Sequence, residues 1–168
     1  MTRAAERSWW LATLVVAAIL GVLTIRNPDI FWHLAVGRWM FENQALPTTD
    51  PLRFTAVGVE WIDHEWLFQL VAALVERWGG LDLLALARLL VLVGIAAVMF
   101  AGCRRAGCTP ATSAAIVMAA LAVIRTRLYL RPELATFVGL ALLLTVLERA
   151  KGRLRPQWIG VGAAVIVV

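Results

Sequence analysis

The sequence predicts an all-α fold of polytopic membrane helices: four spans plus an interrupted fifth, with two amphipathic juxtamembrane helices in a large first outer loop. Three observations predict it. Of the 168 residues, 61% are hydrophobic and 16% charged, against about 45–50% and about 25% in soluble domains. The mean hydropathy is +0.80. The basic residues bracket the apolar runs, where they meet lipid headgroups and set orientation. The net charge of +5 is segregated, because residues 26–82 hold Arg26, Arg38, Arg53 and Arg77 against eight acids. Nothing gathers the basic residues into the single stripe that a polyanion requires. Membrane lipids are therefore expected partners, and nucleic acid is not.

The first apolar run, residues 9–25, is 17 residues long, about 26 Å as a helix. Arg3 and Arg7 precede it and Trp9-Trp10 mark its start, so it reads as an uncleaved span with the amino terminus inside; a signal peptide is the competing reading. Residues 26–80 form the outer loop and carry both histidines, five of the eight Trp and most of the acids. Ile30, Phe31, Leu34 and Met40 mark one amphipathic helix there, and Trp66, Leu67, Leu70, Leu74 and Trp78 a second. Turn chemistry at Pro47-Thr48-Thr49-Asp50-Pro51 and Gly58 separates them. Both are expected to lie on the outer leaflet.

Gly79-Gly80 breaks the second pattern and opens span two, residues 81–103, which ends at Arg104-Arg105. Cys103 and Cys108 flank that pair in an expected cytoplasmic turn, where a disulfide is not expected. Residues 111–124 and 134–147 read as spans three and four. Their 14-residue cores need snorkelling arginines or a thinned bilayer. The chain stops at Val168 inside the apolar run 158–168, as a truncated chain would. Arg125, Arg127 and Arg131 oppose the positive-inside bias in the short outer loop, and a ligand phosphate would account for them.

The chemistry-bearing residues sit in that loop region. Asp29 and His33 are four apart, on one face of a helix. There Asp29 suits a base or a cation ligand, or simply an N-cap. Asp63-His64-Glu65 groups three ligand-type residues at a helix start, where the acids also suit the helix dipole. Phe68 stands where a zinc peptidase needs its second His, which excludes that class. Arg88, inside an apolar run, suits a phosphate or snorkels toward Asp82. Arg125, Arg127 and Arg131, around Tyr129 and before Pro132-Glu133, suit an anionic lipid head or a pyrophosphate-like group.

Asn27-Pro28-Asp29-Ile30-Phe31-Trp32-His33-Leu34, Leu46-Pro47-Thr48-Thr49-Asp50-Pro51, Trp61-Ile62-Asp63-His64-Glu65-Trp66-Leu67 and Leu130-Arg131-Pro132-Glu133 resemble bacterial multi-span C-type glycosyltransferases. These include the dolichyl-phosphate-mannose protein mannosyltransferases and the lipid A aminoarabinose transferases. The resemblance implies a multi-pass protein of the bacterial inner membrane, the amino-terminal part of an enzyme that moves a hexosyl or pentosyl group at the outer face. The donor would be a polyprenyl-phosphate-linked sugar, and the acceptor is not specified. The resemblance also implies roles for residues. Asp29 and Glu133 would be the catalytic acids, and a divalent cation (Mg or Mn) would sit on them. Arg88, Arg125, Arg127 and Arg131 would hold the donor phosphate, while His33, Asp63, His64 and Glu65 would support the acceptor side. Two other functions stay open: a non-catalytic assembly or lipid-binding subunit, and a transporter.

Overall fold

The computed structural model describes residues 3–22, 28–52, 58–124 and 129–150, with side chains described through 147. Among these the chain is all-α: α1 (Arg3–Val22), α2 (Asp29–Asn43), α3 (Trp66–Arg105), α4 (Pro110–Ile124) and α5 (Glu133–Ala150). α3 is two arms, residues 66–78 and 81–105, joined at Gly79 and Gly80, whose backbone leaves the helical region. Gly80 has φ 65° and ψ −162°, a conformation essentially confined to glycine.

Two helices among the described residues are long and apolar enough to cross a membrane, α1 and α3. This corrects the expected four spans plus an interrupted fifth. α4 has 15 residues, about 22 Å, and the apolar part of α5, Glu133–Leu147, falls in the same short class. Both stop short of the about 30 Å of hydrocarbon that a crossing must bridge. Apolar composition marked these segments correctly as hydrophobic helices, but length decides crossing. The expected multi-pass localisation in the bacterial inner membrane is corrected by the same finding. The expected fifth segment, residues 158–168, lies outside the described residues.

The second arm of α3 runs antiparallel to α1. Arg104 Nε donates to Glu6 Oε1 at 3.0 Å at one end. Trp10 and Phe100 meet edge to face at 5.0 Å, and Arg88 Nη2 donates to the Leu20 carbonyl at 3.3 Å at the other end. α4 begins where the Thr112 N–H donates to Thr109 Oγ1 at 3.2 Å, with Pro110 as its first residue, a capping arrangement that supplies one partner to an otherwise orphaned donor. A core of Ala17, Leu92, Ala96, Phe100, Val117 and Leu121 joins α1, α3 and α4.

On α1 and the first arm of α3 the fully buried positions are small or polar residues. α1 buries Thr13, Ala17 and Gly21, while Leu11, Val15, Ile19 and Val22 are exposed. The first arm of α3 buries Gln69, Ala72 and Ala73, so the apolar face expected from Trp66, Leu67, Leu70, Leu74 and Trp78 is rotated; Trp78 is 73% exposed. Small residues let helix backbones approach closely. Only 17% of the most apolar window of α1 and 33% of that of α3 is buried in protein, which is not how the core helix of a soluble domain behaves.

At one end of this bundle α2 packs against the first arm of α3. The contacts ascend together in sequence, so the two helices are parallel: His33 meets Glu65, Gly37 meets Gln69 and Ala73, and Arg38 pairs with Glu76 through bonds of 2.7 and 3.2 Å. Arg38 is 53% exposed, so this pair contributes at most about 1 kcal/mol and fixes register more than stability. Ile30, Leu34, Ala72, Ala73, Leu84 and Leu130 form the second core beneath. In the connection, the Trp61 N–H donates to the Thr48 carbonyl at 2.9 Å, beside an antiparallel bridge between Thr49 and Glu60.

Candidate functional site

Asp29, Trp32, His33, Glu65, Arg131, Pro132 and Glu133 line one cavity of about 280 Å³. Three helix N-termini converge on it, those of α2, α3 and α5, and each brings a carboxylate: Asp29 and Glu133 in first turns and Glu65 at the N-cap position of α3. Helix N-termini carry partial positive charge, which favours ionised carboxylates there. Pro28 occupies the N-cap position of α2, so Asp29 is not the cap that one reading expected. Its Oδ2 instead accepts a hydrogen bond from Arg131 Nη2, 102 residues away. Arg131 is placed by the start of α5, where the Leu134 N–H donates to its carbonyl at 3.0 Å.

His33 is the buried member of the set. Its side chain is 6% exposed, held edge to face by Trp32 at 5.2 Å and Phe68 at 5.3 Å. Its Nδ1 makes no hydrogen bond and lies 3.5 Å from Glu65 Oε2. Burial first of all pushes the imidazole below its ordinary 6.5, against the raising pull of Asp29. Burial, reinforced by Asp63 and Glu133, pushes the Glu65 carboxyl above its ordinary 4.5. Both shifts disfavour the charged forms of His33 and Glu65.

Asp63 stands behind Glu65. Its Oδ1 accepts from the Glu65 N–H at 3.0 Å and from Gln69 Nε2 at 3.1 Å, while burial as the largest influence raises its carboxyl above 3.8. Asp63 thus shapes the turn that presents Glu65. Gln69, fully buried, ties that turn to the helix. Sequence reasoning passed over both Gln69 and Trp32. The usable signals were a Gln between Phe68 and Leu70 on an amphipathic helix, and a Trp between the two chosen residues of the Asp29 face.

The structure does not bring every expected residue to the cavity. His64 is exposed and outside the lining. Arg88 is buried against the end of α1 and is also outside the lining. Arg125 and Arg127 lie outside the described residues. Among the described residues no group of three or more His, Cys, Asp or Glu is arranged to hold a metal ion.

The folded-state shifts give stability a pH dependence. With its folded pKa lowered, His33 binds its proton more weakly folded than unfolded. Its contribution is fully present above pH 6.5 and is lost as pH falls through the lowered folded value. Asp63 and Glu65 act oppositely: with raised folded values, their contribution is present below 3.8 and 4.5 and is lost as pH rises through those folded values. His33→Gln is therefore expected to flatten the loss of thermal stability below pH 6.5. Melting curves across that range check it, and an unchanged slope would reject His33 as the group responsible.

No protein-family model, no curated protein and no solved structure matches the chain.

Proposed function

We propose that this chain carries the transfer pocket of a membrane glycosyltransferase that uses a polyprenyl-phosphate-linked sugar, in keeping with its resemblance to the C-type enzymes. One observation carries the reading: Asp29, His33, Glu65, Arg131 and Glu133, from three separate stretches of sequence, meet in a single cavity at the end of a bundle whose outward faces are apolar. A lipid-linked donor needs that combination, a polar site at the edge of an apolar surface.

In this reading the bond from sugar C1 to the phosphate oxygen breaks and a bond from C1 to the acceptor oxygen forms. A carboxylate takes the acceptor proton, and polyprenyl phosphate leaves with the electron pair. Asp29, oriented by Arg131, is the base. Glu65, whose burial raises its proton affinity, stands across the same cavity. Arg131 also brings positive charge to the place where the phosphate departs.

The test uses protein in lipid nanodiscs with hexosyl and pentosyl polyprenyl phosphates, with water or an added alcohol as the acceptor oxygen, measuring release of polyprenyl phosphate. Release from at least one donor, lost in Asp29→Asn at unchanged expression and melting, is the expected result. A full rate in Asp29→Asn would sink the reading. A non-catalytic subunit would instead show no release, and the substitution would alter only stability or lipid association.

A further inference from the structure

The chain has two cysteines, Cys103 and Cys108, and neither lines the cavity. Both are half-buried and unbridged where the second arm of α3 ends. The turn that ends the helix decides how they sit. The Cys108 N–H donates to the Cys103 carbonyl at 3.1 Å, and the Gly107 N–H donates to the Arg104 carbonyl at 3.2 Å. Gly107 holds φ at 90°, a left-handed value that glycine adopts without a Cβ penalty. Nested bonds closed by a left-handed glycine form a Schellman motif, whose first and sixth residues commonly make the apolar contact that seals the helix end. Here both positions are cysteine, and the charge of Cys108 is felt at Cys103.

The turn brings together side chains that a helix would keep apart. Continued as a helix, residues five apart would point about 140° away from each other. The 3.1 Å bond between amide and carbonyl instead keeps the two Cα atoms within about 7 Å, from standard backbone lengths, and the bent path shortens that further. Disulfides span about 4.4–6.8 Å between Cα atoms. The surroundings hold the turn in place. Arg104 Nη1 donates to the Cys108 carbonyl, and its Nε donates to Glu6 Oε1 at 3.0 Å, which ties the turn to α1. One residue beyond Cys108, Thr109 Oγ1 accepts from the Thr112 N–H at 3.2 Å and starts α4. A bond between the two sulfurs would fasten the junction of three helices where the backbone already turns.

We infer that Cys103 and Cys108 form a paired-thiol modification site, oxidised reversibly to an intramolecular disulfide by a low-mass disulfide such as oxidised glutathione. The thiolate of one cysteine attacks a sulfur of the low-mass disulfide, whose S–S bond breaks. One low-mass thiol leaves, and a mixed disulfide forms on the protein. The second cysteine, as thiolate, attacks the protein sulfur of that mixed disulfide and expels the other low-mass thiol. Two protein thiols are oxidised, one disulfide is reduced, and the two protons end on the two thiols released. Under reducing conditions the pair rests as the dithiol, and the same steps run backwards. The site stands apart from the transferase reading.

The test incubates the full chain in lipid nanodiscs with oxidised glutathione, then reads intact mass and tryptic fragments without reductant. The expected product is lighter by two hydrogens, carries no glutathione and takes up no iodoacetamide. Trypsin cuts after Arg104 and Arg105, between the two cysteines, so the fragments on either side should stay joined until reductant is added. In Cys103→Ser and Cys108→Ser the second step is impossible. Neither should form the product lacking two hydrogens, and at least one should accumulate the mixed disulfide, heavier by one glutathionyl group. Reading the unsubstituted chain keeps the test independent of how either variant folds. No loss of hydrogens at any ratio of oxidised to reduced glutathione, a glutathionyl group retained on each cysteine, or linkage only between two chains each overturns the inference.

Discussion

Gly37→Ala is expected to destabilise the protein by up to about 2 kcal/mol, although alanine is the better helix former. On an isolated helix the substitution gains about 1 kcal/mol. Here a Cβ on residue 37 would lie 2.7 Å from the Ala73 Cβ and closer still to the Gln69 carbonyl oxygen. A carbonyl inside a helix cannot swing aside as a side-chain tip does, so α2 and the first arm of α3 must separate. Overpacking of this kind costs about 1–3 kcal/mol and outweighs the propensity gain. Gly37→Val adds two methyl groups to the same clash and should exceed it. Separation of the two helices also draws His33 from Glu65, so the cavity is lost with the packing. Gly94→Ala is the control: nothing lies within 4 Å of a Cβ there, and a gain of about 0.5–1 kcal/mol is expected. Denaturant unfolding of both variants in the same detergent checks the contrast, and a Gly37→Ala protein as stable as the unsubstituted chain would contradict it.

That close approach explains what the sequence conveyed and what it hid. The α2 pattern was legible because its large apolar residues do face protein: Ile30, Leu34 and Met40 are buried, with Phe31 the exception at 53% exposed. The break at Gly79-Gly80 was legible because few other residues tolerate the conformation at Gly80. The first arm of α3 misled because a periodic run of Leu and Trp marks a core face only where those large residues carry the packing. Packed through Gln69, Ala72 and Ala73, the arm turns its bulk outward, and small residues carry the contact. The number of crossings was overcounted for a related reason. Hydropathy reports that a segment tolerates lipid, whereas reach depends on helix length, and the described length of α4 is 15 residues.

The candidate site divides in the same way. Asp29 and His33 were readable as a pair because helical spacing joins them, and Arg131 with Glu133 because they are near neighbours in sequence. Nothing local announced that the second pair would close on the first. The ion pair between Arg131 and Asp29 spans 102 residues and exists because the core of Ile30, Leu34, Leu84 and Leu130 holds the starts of α2 and α5 side by side. Glu65 reached the same cavity through the register of two parallel helices, which the spacing of neither one reveals.

If the cavity carries the proposed transfer, Arg131→Met should reduce it by two orders of magnitude or more, as deeply as Asp29→Asn, while leaving the fold nearly intact. The two halves of that expectation have different causes. The pair is partly solvated, with Arg131 31% and Asp29 48% exposed, so its removal costs at most about 1 kcal/mol, a shift in melting temperature of about 2–4 °C or less for a chain of this size. Transfer depends on geometry and charge at the reacting centre. Without the guanidinium, Asp29 loses the group that orients it, three carboxylates share the cavity with no opposing charge, and the departing phosphate meets only anions. Loss of a positioned proton acceptor is worth about 10²–10⁴ in rate, and loss of charge stabilisation at a leaving oxygen about as much. Arg131→Lys keeps the charge without the planar fork and should fall between. The exchange Asp29→Arg with Arg131→Asp separates the two causes. It restores an opposite pair and with it the melting temperature, but leaves the carboxylate on the loop instead of the first turn of α2, so transfer should stay lost. Full transfer in Arg131→Met would move the reacting atoms away from Asp29, and full transfer in the exchanged pair would reduce the role of both residues to holding the helix starts together.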